Sequence, residues 1–596
     1  MHRVVVAALC VGAMLITPSS SGAGFPNPQP VGNDPVDVAF AAGAYVIDAG
    51  TVSPSATRQT IGQGLKQYGL IYALVKARIP VQWIINPSKV ATDASGVSTG
   101  GIGQTLGNVG VDFTFDCDAS GTKYQPRDFT TGAFVIAKEY VAQAKPVIDA
   151  FRTANGGQPM AGTVGGVTQT AQQILGYDPT VGQPQGCSNG TPTLPVFATI
   201  AGWPRTALDA QNGSIAVGFF VNAGIPQGPL NVPSNPPAYR FASPSQLTPC
   251  DDFYAMPHAD PKYVTHQNLK AFNDQGGYIW AGCHAVSVLE NVRVNDSANG
   301  ALYLNLLSTD GLLAFGDHDG GSVPYAFYKQ TTDTKEYYAP TYGATTLDPV
   351  SAGDPLAQFR GRTDLAQQNG SEQIYMPGYG GTPTRNAWLA DKSTASKWRP
   401  TTQVIMYDPT QKEVYPLTGT AVPVESLGPA ASVVYGRGYG NPNNGLVIYE
   451  GGHSINKGSV DDVAAQRVFF NAQLLNALER TPKVTINAPT AGAVLAGNTS
   501  VPVSGSATGG SGSFTYTWSA SCTDATTGAA VGSGSFANAA NAATTFTTPA
   551  VSGPVNCNIA LSVVDSCGRI GFSVHSISVV PVADMQVTKT GPASAS

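Results

Sequence analysis

Apolar positions along this chain recur in two periods, one suited to buried strands and one to amphipathic helices. Ala44-Tyr45-Val46-Ile47-Asp48 is a short apolar run of the kind that forms a buried strand. Leu65, Tyr68, Tyr72 and Val75 follow at helical spacing, Pro80 stops the pattern, and Val81-Gln82-Trp83-Ile84-Ile85-Asn86 predicts the next strand. Strand, helix and strand in this order predict parallel pairing. Further strands are expected at Phe113 to Cys117, Ala133 to Ala137, Pro195 to Ile200, Asp252 to Met256 and Tyr278 to Gly282. The last two bracket a short helix with Leu269 and Phe272 on its apolar side, Thr265 as candidate N-cap and Gly276-Gly277 as its close. Between about Asn295 and Ala430 no clean period survives, which predicts a large loop-rich insertion capping the sheet. Order returns at Gly445-Leu446-Val447-Ile448-Tyr449-Glu450-Gly451-Gly452-His453. A helix comes next, marked at its start by Ser459, Asp461 and Asp462, with Val463, Phe470, Leu474 and Leu478 on its buried side and Pro482 past its end.

From Val484 onward Thr, Ser, Ala, Gly and Val dominate, and short alternating strands such as Phe514 to Trp518 and Asn558 to Val564 predict a β-sandwich over about 483–582. Pro502-Val503-Ser504-Gly505-Ser506, the Tyr516-x-Trp518 strand and Val563-Val564-Asp565 resemble the bacterial immunoglobulin-like modules of surface proteins. Residues 583–596 look like the opening strand of a further surface repeat.

Composition narrows the class. Charged residues are 12% of the chain, the formal net charge is -6 and no basic stripe is present, so nucleic acid is not an expected partner. His2-Arg3, the apolar run Val4 to Ile16 and the small residues Ser21-Gly22-Ala23 have the layout of a signal peptide over 1–23, which predicts a secreted or cell-surface protein of bacterial type. No other run reaches the roughly 18 apolar residues that a membrane helix needs. Beyond Cys10 seven cysteines remain, at 117, 187, 250, 283, 522, 557 and 567, an odd number that leaves at least one thiol unbridged within the chain. Their pairing stays open.

The candidate chemistry sits where apolar strands end. Tyr278-Ile279-Trp280-Ala281-Gly282-Cys283-His284-Ala285 runs straight into a cysteine with small residues two positions away on either side, as a nucleophile elbow requires. A helix starting after Cys283 would favour a thiolate and a developing oxyanion through its N-terminal dipole. The matching histidine is His453, which follows two glycines after the late strand. These two motifs resemble the class I glutamine amidotransferase-like superfamily over roughly Asn33 to Arg480, and Cys283-His284 resembles its PfpI-type branch. The resemblance implies a flavodoxin-like parallel α/β sheet spanning about 34–480, with Cys283 as nucleophile and His453 as base.

Amidotransferases of this superfamily place an acid two residues after the late histidine, whereas His453-Ser454-Ile455 carries none. Glu450 is then the nearest candidate for an orienting acid and His284 a helix-start residue beside the nucleophile. His258 and Asp260 stand where small residues are expected in an oxyanion loop, and Asp317-His318-Asp319 is read as solvated turn residues, so no metal and no cofactor are expected. Two functions follow. One is a surface binding or adhesion protein whose amidotransferase-like domain has lost catalysis and presents its cap to an extracellular ligand. The alternative is a cysteine-dependent amide or peptide hydrolase using Cys283 and His453.

Overall fold

A computed structural model describes residues 35–40, 44–49, 61–89, 110–117, 123–155, 176–177, 193–228, 237–257, 266–282, 285, 289–290, 304–308, 326–328, 337–338, 353–359, 374–375, 399, 401–408, 413–416, 422–423, 430–451, 455, 457–458 and 460–582. The leader over 1–23 and the segment 583–596 lie outside these residues, as does Asp317-His318-Asp319.

The architecture is mixed α/β followed by an all-β module. Two sheets make up the α/β part. The first runs Val36–Ala39, Thr193–Ile200, Val81–Ile84, Phe134–Ile136, Tyr45–Ile47, Gly176–Tyr177, and every neighbouring pair is antiparallel. This corrects the parallel pairing expected for the opening strand, helix and strand. Tyr45–Ile47 and Val81–Ile84 do share a direction, but Phe134–Ile136 lies between them, so neither joins the parallel sheet. A period of apolar residues fixes which faces are buried and says nothing about which strand fills the gap.

The second sheet carries the parallel strands in the spatial order Tyr239–Ala242, Thr206–Asp209, Phe253–Met256, Tyr278–Gly282, Leu446–Glu450. Ala430–Arg437 and Gln403–Asp408 extend it antiparallel. The region between 295 and 430 therefore contributes more than a cap. Besides those strands it supplies Leu356, Ala357 and Phe359, all buried in the main core.

Helices cover both faces of the parallel sheet. Ser214–Ala223 and Val460–Arg480 pack on one, where Trp280 meets Phe219 and Phe469 edge to face. Asn268–Asp274 packs on the other, where Phe272 meets Tyr254. Helix Val460–Arg480 is buried almost throughout, polar positions included. Its polar side chains are therefore wired to both layers. Arg467 donates to the carbonyls of Gly64 and Ala49 and to Thr131, Asn471 accepts from the Tyr68 hydroxyl at 2.7 Å, and Asn476 donates to the Asp252 carbonyl at 3.1 Å.

After Pro482 two sheets close on one core containing Trp518, Phe546, Leu561 and Ile577, which makes a β-sandwich. Cys522 and Cys557 are cross-strand neighbours within one of its sheets and form a disulfide. The second described disulfide, Cys250–Cys567, bridges the α/β part and the sandwich, so pairing is not confined to each part. Beside it Asp252, fully buried, accepts from Arg569 Nε at 2.7 Å, Arg480 Nε at 3.3 Å and the Arg205 amide at 2.9 Å. Arg569 also donates to the Pro249 carbonyl and pairs with Asp565.

Two measurements test this frame. Replacing Arg569 with Met leaves Asp252 buried without its closest charge partner, and urea denaturation is expected to show a loss of about 3–5 kcal/mol. A loss below about 1 kcal/mol would mean that Arg480 alone compensates the carboxylate.

Asp354 accepts from the Leu356 amide and the Tyr435 hydroxyl, at 2.8 and 2.7 Å, and burial pushes its carboxyl up to about 7. The folded state then holds this proton more tightly than the unfolded chain. Its contribution to stability is fully present below the unfolded value and is lost as pH rises through about 7. Asp354→Asn should accordingly gain in Tm relative to the wild type between pH 4 and pH 8, and a constant difference would refute the assignment.

Candidate active site at the carboxyl edge of the parallel sheet

Strand Tyr278–Gly282 is buried at every position, and Ala285 and Leu289 beyond it are helical and buried. Only positions 283 and 284 separate strand from helix. The chain is tight at this point. A Cβ on Gly282 would stand 2.7 Å from the Pro257 carbonyl oxygen and 3.1 Å from Trp280 Cη2, so the strand end presses against the neighbouring strand's exit. Cys283 and His284 themselves lie outside the described residues, and so do His453, His258, Asp260 and Thr265.

The strand that leads to His453 is the immediate parallel neighbour, with Gly282 opposite Glu450 in the register. Both sequence motifs thus run to one edge. Glu450 is fully buried and its Oε2 accepts from Trp280 Nε1 at 3.0 Å. Trp280 lies on the face covered by Ser214–Ala223 and Val460–Arg480. Strand alternation puts Ile279 and Ala281 on the opposite face. Glu450 is therefore engaged inside the layer, away from the face that Ala281 occupies.

That other face holds groups the sequence pattern did not single out. Asp209 ends strand Thr206–Asp209. Its Oδ2 accepts from the Tyr254 hydroxyl and lies 3.4 Å from His266 Nε2, and its Oδ1 accepts from the Gln211 amide at 2.7 Å. All three side chains are buried. Burial alone would raise the Asp209 carboxyl, but the hydrogen bonds from His266, Tyr254 and Gln211 outweigh it and hold the group below the usual carboxylate range. Burial, with the Asp209 charge and hydrogen bond, pushes the Tyr254 hydroxyl up.

On the other side of the helical Leu289, Glu290 accepts from the Leu307 amide at 2.7 Å, the Ser308 amide at 3.1 Å and hydroxyl at 2.5 Å, and the Tyr449 hydroxyl. Burial raises its carboxyl against those bonds. Its saturated hydrogen bonding marks it as an anchor for the chain after the elbow. Among the described residues no group of three or more His, Cys, Asp or Glu side chains is placed to hold a metal ion.

One signal in the sequence points to Asp209. An acid directly after the apolar run Thr206-Ala207-Leu208 ends a strand, and strand ends are where open α/β sheets carry their chemistry. His266 has no such mark, because its partner Asp209 comes from a strand far back in the chain.

No protein-family model matches this chain, and no curated protein matches it. Among solved structures, fibronectin(III)-like modules of Clostridium thermocellum CbhA are 13% identical over 30% of this chain and 60% of theirs, with a TM-score of 0.13. The alignment thus spans less than two thirds of that structure. CopC from Methylosinus trichosporium OB3b is 18% identical over 17% of this chain and 95% of its own, with a TM-score of 0.13. A nucleoside hydrolase-related protein from Saccharophagus degradans, associated with carbohydrate metabolism, is 12% identical over 55% and 71%, with a TM-score of 0.15. At these TM-scores the likenesses carry no argument about fold or site.

Gly282→Ala tests the tight approach at the elbow. The added methyl must displace backbone, and thermal or chemical unfolding is expected to show a cost of about 1–3 kcal/mol. A neutral substitution would show that the strand end is looser than described.

Proposed function

We propose that this is an extracytoplasmic protein whose α/β part is a flavodoxin-like, glutamine amidotransferase-like domain acting as a cysteine-dependent hydrolase of an amide or peptide, followed by an immunoglobulin-like sandwich. The observation that carries the reading is strand Tyr278–Gly282, buried at every position and followed by helical backbone at Ala285, beside the parallel strand Leu446–Glu450 that precedes His453 in the sequence. Numbered in chain order, the five parallel strands lie 2-1-3-4-5, the order of flavodoxin-like sheets, which supports the fold assignment. Two disulfides among the described residues suit an oxidising compartment, and no helix of those residues is long and apolar enough to cross a membrane.

In this reading the Cys283 thiolate attacks the carbonyl carbon, the His284 amide helps to hold the oxyanion, and an imidazole takes and returns the proton. His453 is the imidazole that the superfamily resemblance supplies. Glu450, whose Oε2 accepts from Trp280, is the acid nearest to it in sequence.

A second reading, ligand binding without catalysis, draws on an open cleft of about 520 Å³ at the junction of the antiparallel sheet, the end of helix Val460–Arg480 and the sandwich. Gln82, Thr199, Lys483 and Ser573 line it. Ligands favour such junctions.

Thiol reactivity separates the readings. Peptide mapping after brief treatment with iodoacetamide should find Cys283 labelled at least tenfold faster in the folded protein than in the denatured chain, and Cys283→Ala should abolish turnover of amide substrates. Labelling no faster than in the denatured chain would leave the binding reading.

A further inference from the structure

Acidic residues outnumber lysine and arginine 38 to 32 in this chain, yet four cations and no acid line one small cavity at the seam between the α/β part and the sandwich. Tyr72, Lys76 and Arg78 come to it from the end of helix Lys66–Lys76, Trp203 and Arg205 from the loop ahead of strand Thr206–Asp209, and Arg569 from the sandwich. We infer that this cavity binds a small oxyanion, a phosphate or carboxylate group held between the two modules.

The charges there are not all compensated from within. Arg569 is satisfied by Asp252 and Asp565. Arg78 and Arg205 pair with no carboxylate among the described residues. Arg78 donates from Nε to Ser562 Oγ at 2.7 Å and from Nη1 to the Lys76 carbonyl at 2.8 Å, and Arg205 donates from Nη1 to the Cys567 carbonyl. These neutral acceptors fix both guanidinium groups in place and leave their charge unmatched. Burial pulls Lys76 and Arg78 below their ordinary pKa, and the Arg78 charge adds to the fall at Lys76. An anion between cations that repel each other while losing water relieves both costs.

The uncharged donor beside them points to the same ligand. Trp203 packs edge to face on Tyr72, with ring centroids 5.3 Å apart, and its indole nitrogen is buried with no acceptor among the described residues. Buried N–H groups nearly always have one. A ligand oxygen supplies it, whereas a cation would not.

The backbone adds a separate sign. Arg78 stands two residues past the last residue of helix Lys66–Lys76 at φ 64°, its amide bonded to the Val75 carbonyl and the next amide to the Leu74 carbonyl. Glycine is the relaxed residue at this kind of helix end, and a side chain there is strained. The strain places a guanidinium against the sandwich where glycine would place nothing.

Size limits the ligand. The cavity holds about 30 Å³, and about 10–15 Å³ admits one water, so one phosphate or carboxylate group fits and a sugar ring does not. The guanidinium fork matches either oxyanion. Because both modules build the wall, a bound oxyanion ties the end of helix Lys66–Lys76 to the sandwich.

Titration of the full oxidised chain with sodium phosphate near neutral pH, against sodium chloride at equal ionic strength, tests the site by calorimetry and tryptophan fluorescence. Phosphate should bind saturably and change the fluorescence, and Trp203→Phe should lose most of that change. Arg78→Gly, which relaxes the backbone as it removes the charge, and Arg205→Gln should each weaken binding about 10- to 100-fold. Lys270→Gln removes an exposed lysine that pairs with Asp274 outside the cavity and should bind as the wild type does. Sodium acetate as a second titrant separates the two oxyanions: tighter phosphate assigns the site to a phosphate group, tighter acetate to a carboxylate.

No saturable response to either anion at millimolar concentration would overturn the inference. Wild-type affinity in both Arg78→Gly and Arg205→Gln would overturn it as well. Should Arg78→Gly fail to fold, as judged by circular dichroism, Arg205→Gln decides: undiminished affinity in that variant counts against the inference.

Discussion

Everything described turns on one buried carboxylate. Asp252 stands at the entry of the middle strand of the parallel layer, where three donors converge on it from the preceding loop, the long helix and the sandwich. A lone charge in that position would cost several kcal/mol, so the three elements can pack only in the arrangement that brings their donors together. The carboxylate thereby specifies a geometry more than it adds stability. The same strand carries Tyr254 and ends at Met256, opposite Ala281 in the register, so the ion cluster and the Asp209–Tyr254 pair share one element.

Helix Val460–Arg480 does for the two sheets what Asp252 does for the modules. A helix with polar groups on every side normally faces water. Here Arg467, Asn471, Gln473 and Asn476 are buried, the first two bonded to the segment 64–68 on the side of the antiparallel sheet and the last two at the parallel sheet, which sets the height of the helix between the sheets to within a hydrogen bond's tolerance. Aromatic side chains fill the remaining volume, with Phe469 touching Phe219, Phe253 and Trp280 edge to face.

Much of this was legible in the sequence where side chains make their own neighbourhood. Strands Phe113–Cys117, Tyr278–Gly282 and Leu446–Glu450 and helices Lys66–Lys76 and Val460–Arg480 follow from local apolar period alone. What local pattern could not supply was pairing across distance. Phe134–Ile136 enters between two strands that look consecutive, and the stretch Asp354 to Phe359, which has no period, is buried because Asp354, Tyr435 and Gln358 find one another in space. The site divides on the same line. A cysteine after an apolar strand announces itself, while the Asp209, Tyr254 and His266 group becomes visible only once three separate segments are folded together.

The covalent bridge Cys250–Cys567 closes a loop of 317 residues that contains the elbow, the late strand and the long helix. A protease that nicked the chain anywhere within that loop would leave its two pieces tethered. Cleavage in the irregular region between the elbow and the late strand could thus remodel the approach to the site without shedding either fragment. Release of the sandwich would require reduction as well as proteolysis, which makes the assembled protein's integrity a property of the redox state of its surroundings as much as of its chain.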